Sequence, residues 1–437
     1  MTAAQILLYR VVPFGACLGV LAFARWSGLG VAGIGPQSTT IALGFLLVSA
    51  FLGGAASARI GLPRITGFLV VGLLAGPYVT SLLTHDMLEA GKAVEGVAVA
   101  LIALTAGGEI KIEWLRKHAA RLAIITGLQI LIVATMVGCV VFFGRSLFPF
   151  IPADDLLSAA IIALVLAAIA VSNSPTVTIA LISDNKAKGP LSQTVLGVVV
   201  LVDVCVIVLF AVTLAVARDA LGSGPGTSLA VTLARELGGS VLVGVGFGIG
   251  IAAFLRYIGR DTPVFILGVC FAIAQLAAAF HLEALLIALT AGLWVGNVSR
   301  TATEPLIEGI ERLSLPIYAV FFASAGAKVN LDALASMWPL ALLLSATRAI
   351  AIWAGAAAGT RLARTEPVIQ RYAWLGLISQ AGVTLALAAI LARAFPEWGE
   401  GIQVLIVAMI ALHEIIGPIG FQFALRRAGE VGKALAR

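Results

Sequence analysis

The stretch "VSNSPTVT", residues 171–178, interrupts an otherwise apolar run, with "AIIALVLAAIA" at 160–170 before it and "IALIS" at 179–183 after it. An apolar run of this length crosses a bilayer as a helix, because lipid offers the backbone no hydrogen-bond partner. Pro175 lacks an amide donor and crowds the turn before it, so the helix is expected to break near 172–176. Irregular backbone at membrane depth is tolerated only where it is buried in protein or lines a cavity. Ser172, Asn173, Ser174 and Thr176, together with freed carbonyls, would offer the hard oxygens an alkali cation takes. The plainer alternative is a packing kink whose loose ends are satisfied by the hydroxyls.

The rest of the chain sets the context. Its 437 residues are 60% hydrophobic and 11% charged, with a mean hydropathy of +1.07, whereas a soluble domain is about 45–50% apolar and 25% charged. The expected fold is all-α and polytopic. Segments of spanning length fall near 5–24, 39–57, 65–83, 93–109, 121–144, 156–183 and 191–217. Seven more fall near 229–255, 262–280, 282–298, 305–327, 335–360, 372–394 and 401–425, fourteen in all. Polar connections are short, so no soluble domain or nucleotide-binding module is expected, and no cofactor is called for. The first segment is read as a retained helix, not a signal peptide.

The net charge of +6 is topological. Of the 28 Lys and Arg, twenty fall on the side of the N-terminus, seven on the other side and Arg348 on neither. By the positive-inside rule both termini are expected in the cytoplasm, and a nucleic-acid partner need not be invoked. Cys17, Cys139, Cys205 and Cys270 lie in apolar segments at no metal-ligand spacing. "GVGFGIG", 244–250, lies within a span and follows no strand, so Gly244/Gly248 and Gly246/Gly250 are read as a close helix contact and not a phosphate loop.

Arg348 sits half way along the twelfth segment and Asp203 at the midpoint of the seventh. An ionised group there costs about 2.5–3.5 kcal/mol even on lenient insertion scales. Two readings stand: a stabilising pair between helices, or a titratable carboxylate on an ion path with a guanidinium tuning it. A second interruption, Ser379, Gln380 and Gly382, breaks the thirteenth segment, and Glu414 follows His413 at the midpoint of the fourteenth. Interrupted helices seven segments apart point to a transporter built of inverted repeats. The organisation expected is an extra N-terminal helix at 1–38, repeat one at 39–218, a linker helix at 228–257 and repeat two at 262–426. Ion and proton binding is assigned to Asp203, Asn173, Ser174 and Thr176, with Asp203 and Ser174 as ligands of Na⁺ or K⁺. Arg348 is assigned to tuning, and Gln380, Glu414 and Ser172 are further candidates.

Six stretches carry a likeness: "LPRITGFLVVGLLAGP" at 62–77, "LTAGGEIKIEWLRKH" at 104–118, the interruption at 171–178, "ALTAGLWVGN" at 288–297, "PIYAVFFASAGAKVNL" at 316–331 and "HEIIGPIGFQFALRRAGE" at 413–430. In that order they resemble the monovalent cation:proton antiporter family, with its sodium/hydrogen exchanger domain, of the cation/proton antiporter superfamily. The resemblance implies a homodimer in the bacterial inner membrane, in contact with lipid and open to a separate regulatory subunit. Each subunit would have a scaffold domain and a six-helix core, in which two broken helices cross beside the ion-binding Asp and move by an elevator-like stroke. Asp203 falls where that family has its carboxylate, Arg348 on the helix where relatives carry Lys or Arg, and Asn173-Ser174-Pro175 at a polar triplet that often holds an acid.

Val202, Ser174, Val198 and Ala381-Gly382-Val383 depart from residues common in relatives. With one acid at the site, one-for-one electroneutral exchange of Na⁺ or K⁺ for H⁺ is the expectation. A channel or uniporter of the same fold, or a differently coupled transporter of ions or organic solutes, is the rival. An intramembrane aspartyl hydrolase would need a second catalytic Asp, and the other seven aspartates sit at loops or helix ends.

Overall fold

The computed structural model describes residues 36–109, 112–152, 154–221, 229–280, 282–298, 304–380 and 382–433. Over these the helices are α1 (Pro36–Arg59), α2 (Arg64–Ala75), α3 (His85–Ala90), α4 (Lys92–Glu109), α5 (Ile112–Phe143), α6 (Leu156–Ala170), α7 (Pro175–Asp184) and α8 (Pro190–Ala220). They continue as α9 (Leu229–Tyr257), α10 (Thr262–Phe280), α11 (Ala284–Asn297), α12 (Glu304–Ala327), α13 (Leu331–Leu362), α14 (Pro367–Tyr372), α15 (Gly382–Ala394) and α16 (Pro396–Arg427). Among the described residues there is no strand. Among the described residues seven spans are long and apolar enough to cross a membrane, and six shorter apolar helices accompany them. Together they match thirteen of the fourteen expected segments, and the chain is a multi-pass membrane protein. The segment at 5–24, and the extra helix expected at 1–38 save its last residues, lie outside the described residues.

The expected third span, 65–83, is helical only over Arg64–Ala75. Gly76 turns out of the helix, its N–H closing on the Leu73 carbonyl, and Pro77 holds the residue before it in the extended region. The chain then turns through Ser81, at φ 53°.

The chain divides into two compact units. One holds the described residues up to Glu109 together with Val243–Val329. Its helices approach through small residues: Gly72 of α2 lies against Ala323 of α12, and Gly107 of α4 against Leu289 of α11, leaving no room for a Cβ. Gly244 and Gly248 of α9 likewise face Thr290 and Trp294 of α11, whereas Gly246 and Gly250 meet nothing within 4 Å. The contact expected of both glycine pairs is therefore made, inside the chain, by the first pair alone.

The other unit comprises Ile110–Leu242 and Asn330–Arg437. Here α5 and α13 run antiparallel and close, a Cβ on Gly355 falling 2.9 Å from the Gln129 Cα and one on Gly359 2.7 Å from the Ile125 Cα. Helix α8 packs on α6 and α7, and α16 packs on α13 and α15. Beyond α16 the chain folds back on the α7–α8 turn. The Glu430 carboxylate, 2% exposed, accepts the Leu191 N–H at 2.7 Å and the Ser192 N–H at 2.8 Å. That seats a negative charge on the first turn of α8, where orphan amides and the helix dipole favour it. Gly189 makes room, since a Cβ there would collide with the carboxylate.

Candidate ion-binding site

The first broken span begins at Asp155, whose Oδ1 accepts the Leu157 N–H at 3.0 Å and the Ser158 N–H at 3.2 Å and so caps α6. The helix stops at Ala170 because Pro175 has no amide for the Val171 carbonyl and its ring crowds that group. Residues 171–174 pass through in non-helical form to Ser174, at φ −109° and ψ 103°. There the chain restarts: Ser174 Oγ accepts the Val177 N–H at 3.3 Å, and Pro175 takes the first position of α7, where an amide would be unpaired anyway.

The second broken span runs from α14 through a 3-10 turn, Ala373–Leu377, and the non-helical Ile378–Gln380 to α15. The two breaks are bonded to each other. The Ser174 N–H donates to the Ser379 carbonyl at 2.8 Å, the Thr178 hydroxyl to the Gly376 carbonyl at 3.3 Å, and the Thr384 hydroxyl to Ser172 Oγ at 3.0 Å. Gly417 lets α16 lie against this crossing, because a Cβ there would collide with the Ser379 side chain.

Arg348 stands at the crossing, 0% exposed. Its Nε donates to the Ala170 carbonyl at 2.7 Å, Nη1 to the Ile378 carbonyl at 2.6 Å, and Nη2 to the Ser172 carbonyl at 2.7 Å and to Asn173 Oδ1 at 3.0 Å. All four acceptors are neutral oxygens, three of them carbonyls freed where the helices break. The C-terminal end of α6 also presents the negative pole of its dipole. A planar five-donor fork suits this task as a point charge would not. The residue assigned to tuning thus has a mechanical role first: it ties both breaks together.

Asp203 lies on α8, 8% exposed, on the span that packs against α6 and α7. Asn173 is buried at 2% exposure, with Oδ1 taken by Arg348 and Nδ2 without a partner among the described residues. The Ser172 carbonyl and hydroxyl are both engaged, and Ser174 Oγ serves as the cap of α7. Thr176 makes no side-chain hydrogen bond among the described residues. Gln380 Oε1 accepts from His413 Nδ1 at 2.8 Å, while Gln380 Nε2 and His413 Nε2 have no hydrogen-bond partner among them. Glu414, 8% exposed, makes no hydrogen bond or ion pair there either. The second unit thus gathers all eight assigned residues, with Ser172, Asn173, Ser174, Arg348 and Gln380 at the crossing itself. Buried polar atoms left without a protein partner are commonly satisfied by water or an ion.

The sequence profile described as "sodium/hydrogen exchanger, transmembrane" matches residues 47–427. The chain belongs to the sodium/hydrogen exchanger family. As an exchanger-family protein it is a transporter and not an enzyme. It is 24% identical over 355 residues to the Na⁺/H⁺-K⁺ antiporter GerN of Bacillus cereus, covering 79% of this chain and 86% of that one. It is also 24% identical over 389 residues to the ammonium/H⁺ antiporter subunit AmhT of Alkalihalophilus pseudofirmus, covering 87% and 92%. Among solved structures, the sodium proton antiporter MjNhaP1 of Methanocaldococcus jannaschii at pH 8 superimposes with a TM-score of 0.64 at 16% identity, over 90% of this chain and 98% of that one. An electron-microscopy map of the same antiporter gives 0.69 at 17% identity. The fold is therefore that of a sodium/proton antiporter.

Three residues carry no signal in the sequence strong enough to assign them: Thr384 and His413 at the crossing, and Glu430 at the turn that opens α8. Thr384 is one more hydroxyl in an apolar helix, and Glu430 reads as one more polar residue after the last span. Their partners lie 212, 33 and 239 residues away, respectively.

Proposed function

We propose that this protein exchanges a monovalent cation, Na⁺ or K⁺, for H⁺, with Asp203 binding either the cation or the proton. The observation that carries the reading is a carboxylate held in mid-span, on a helix packed against a broken span whose interruption is crossed by a second one. Burial disfavours the charged form of a carboxylate and polar neighbours or a bound cation favour it, which lets one buried carboxylate take a metal or a proton in turn. With Asn173 Oδ1 bonded to Arg348, the oxygens offered to a cation are those of Asp203, Ser174 and Thr176. One carboxylate carries one charge per turn, which makes exchange electroneutral. An elevator-like movement of the unit would expose the site to either side by turns.

Proteoliposomes holding a pH gradient test this. Na⁺ or K⁺ should dissipate the gradient at the same rate with the membrane potential clamped or free, with NH₄⁺ and Li⁺ as comparison cations. Asp203→Asn should abolish exchange while leaving a monodisperse protein. Cation uptake without proton movement would instead mean a channel or uniporter, and an Asp203→Asn variant at full rate would remove the carrier assignment.

The same reading places the protein in a bacterial inner membrane, with both termini cytoplasmic, as a homodimer in lipid. The charge asymmetry of the connections supports the orientation. The relative named as an antiporter subunit supports looking for a separate regulatory partner.

A further inference from the structure

A cavity of about 110 Å³ lies in the unit that contains Asp203, between the start of α5, the start of α8 and the turn joining α13 to α14. Helix α5 has 32 residues, about 48 Å at 1.5 Å per residue, against about 30 Å of hydrocarbon. Its apolar span begins only at Arg116. The lining residues of α5 run from Trp114, just before that span, through His118 and Arg121 to Leu122 and Ile125 within it. Its lining joins charged and polar side chains to apolar ones, as an amphiphile requires.

Its charges are unusual. Arg121 and Glu366 both line it and both are exposed, yet neither makes an ion pair or side-chain hydrogen bond, with each other or with any described residue. His118 is fixed in place, stacked on Trp114 at 4.4 Å between ring centroids and donating from Nδ1 to the Trp114 carbonyl at 2.8 Å. Its Nε2 has no partner among the described residues. A cation and an anion facing one cavity without meeting call for a guest that carries both signs.

We propose that this cavity binds the phosphoethanolamine headgroup of a membrane lipid. Arg121 takes the phosphate, Glu366 takes the ammonium, and Leu122 and Ile125 receive the start of the acyl region. Arg supplies the strong phosphate contact, and Trp114 sits where interfacial tryptophans sit. A glycerol headgroup offers Glu366 hydroxyls and no cation. Choline offers no N–H to the carboxylate.

Native mass spectrometry of the detergent-purified full chain, with phosphatidylethanolamine, phosphatidylglycerol or phosphatidylcholine added, tests the assignment. Phosphatidylethanolamine should bind about tenfold tighter than either rival. Arg121→Gln should reduce it to the level of phosphatidylcholine, and Glu366→Gln should erase its advantage over phosphatidylglycerol. Both side chains are exposed, so both variants should melt as the parent does. Glycerophosphoethanolamine should compete in excess and inorganic phosphate should not, which separates a lipid headgroup from a free phosphate. Displacement by inorganic phosphate, a preference for phosphatidylglycerol, or phosphatidylethanolamine binding untouched by both substitutions would overturn the proposal.

Discussion

Replacing Arg348 with lysine keeps the charge and removes the fork. The guanidinium reaches the Ala170 and Ser172 carbonyls and Asn173 on one broken span, and the Ile378 carbonyl on the other, through four bonds of 2.6–3.0 Å. One ammonium on an unbranched stem holds about two of these at a time. Hydrogen bonds to charged groups contribute about 1.5–3 kcal/mol each, so losing two costs about 3–6 kcal/mol, and entry of water recovers part of it. Taking about 3 kcal/mol over a unit of roughly 240 residues, whose unfolding entropy is about 0.5 kcal/mol per kelvin, lowers the melting temperature by about 6 °C. Thermal unfolding in detergent, followed by size-exclusion fluorescence, reads this directly. Because the charge is unchanged, an Arg348→Lys protein melting within about 1 °C of the parent would refute the claim that the fork holds the crossing.

Substitutions at three further positions probe packing and capping, Gly417 and Glu430 in the same unit and Gly246 in the other. Gly417→Ala pushes a methyl group into the Ser379 side chain and is expected to cost about 1–3 kcal/mol by overpacking. Gly246→Ala, where nothing lies within 4 Å, is expected to leave the melting temperature unchanged or slightly raised. Glu430→Ala removes the two bonds that seat the first turn of α8 and is expected to cost about 2–3 kcal/mol, with Glu430→Gln recovering about half. Equal melting of the alanine and glutamine variants would show that those bonds contribute nothing.

The spans and both interruptions were legible in the sequence because each depends on local chemistry: runs of apolar residues, Pro175, and a polar triplet in oil. The early end of α2 was also written locally, in Gly76-Pro77, but hydropathy continues past it and conceals the stop. The partners of Arg348 were not legible. Three of its four acceptors are main-chain carbonyls, which every residue has, and only the fold determines which are set free. Asp203 stood out as an isolated acid, whereas the Thr384–Ser172 and His413–Gln380 bonds join residues that are common individually and distant in the chain. Chemistry that is rare in lipid announces itself; pairings among ordinary groups require the fold.

The Glu430 clasp bears on biosynthesis. The turn that opens α8 leaves the ribosome with its amides bare, and the carboxylate that covers them is 239 residues downstream. The span bearing Asp203 is therefore synthesised before its first turn can be fastened, and the clasp closes only once the distant stretch has been translated. A nascent chain halted short of residue 430 would hold Asp203 on a span whose first turn is unfastened.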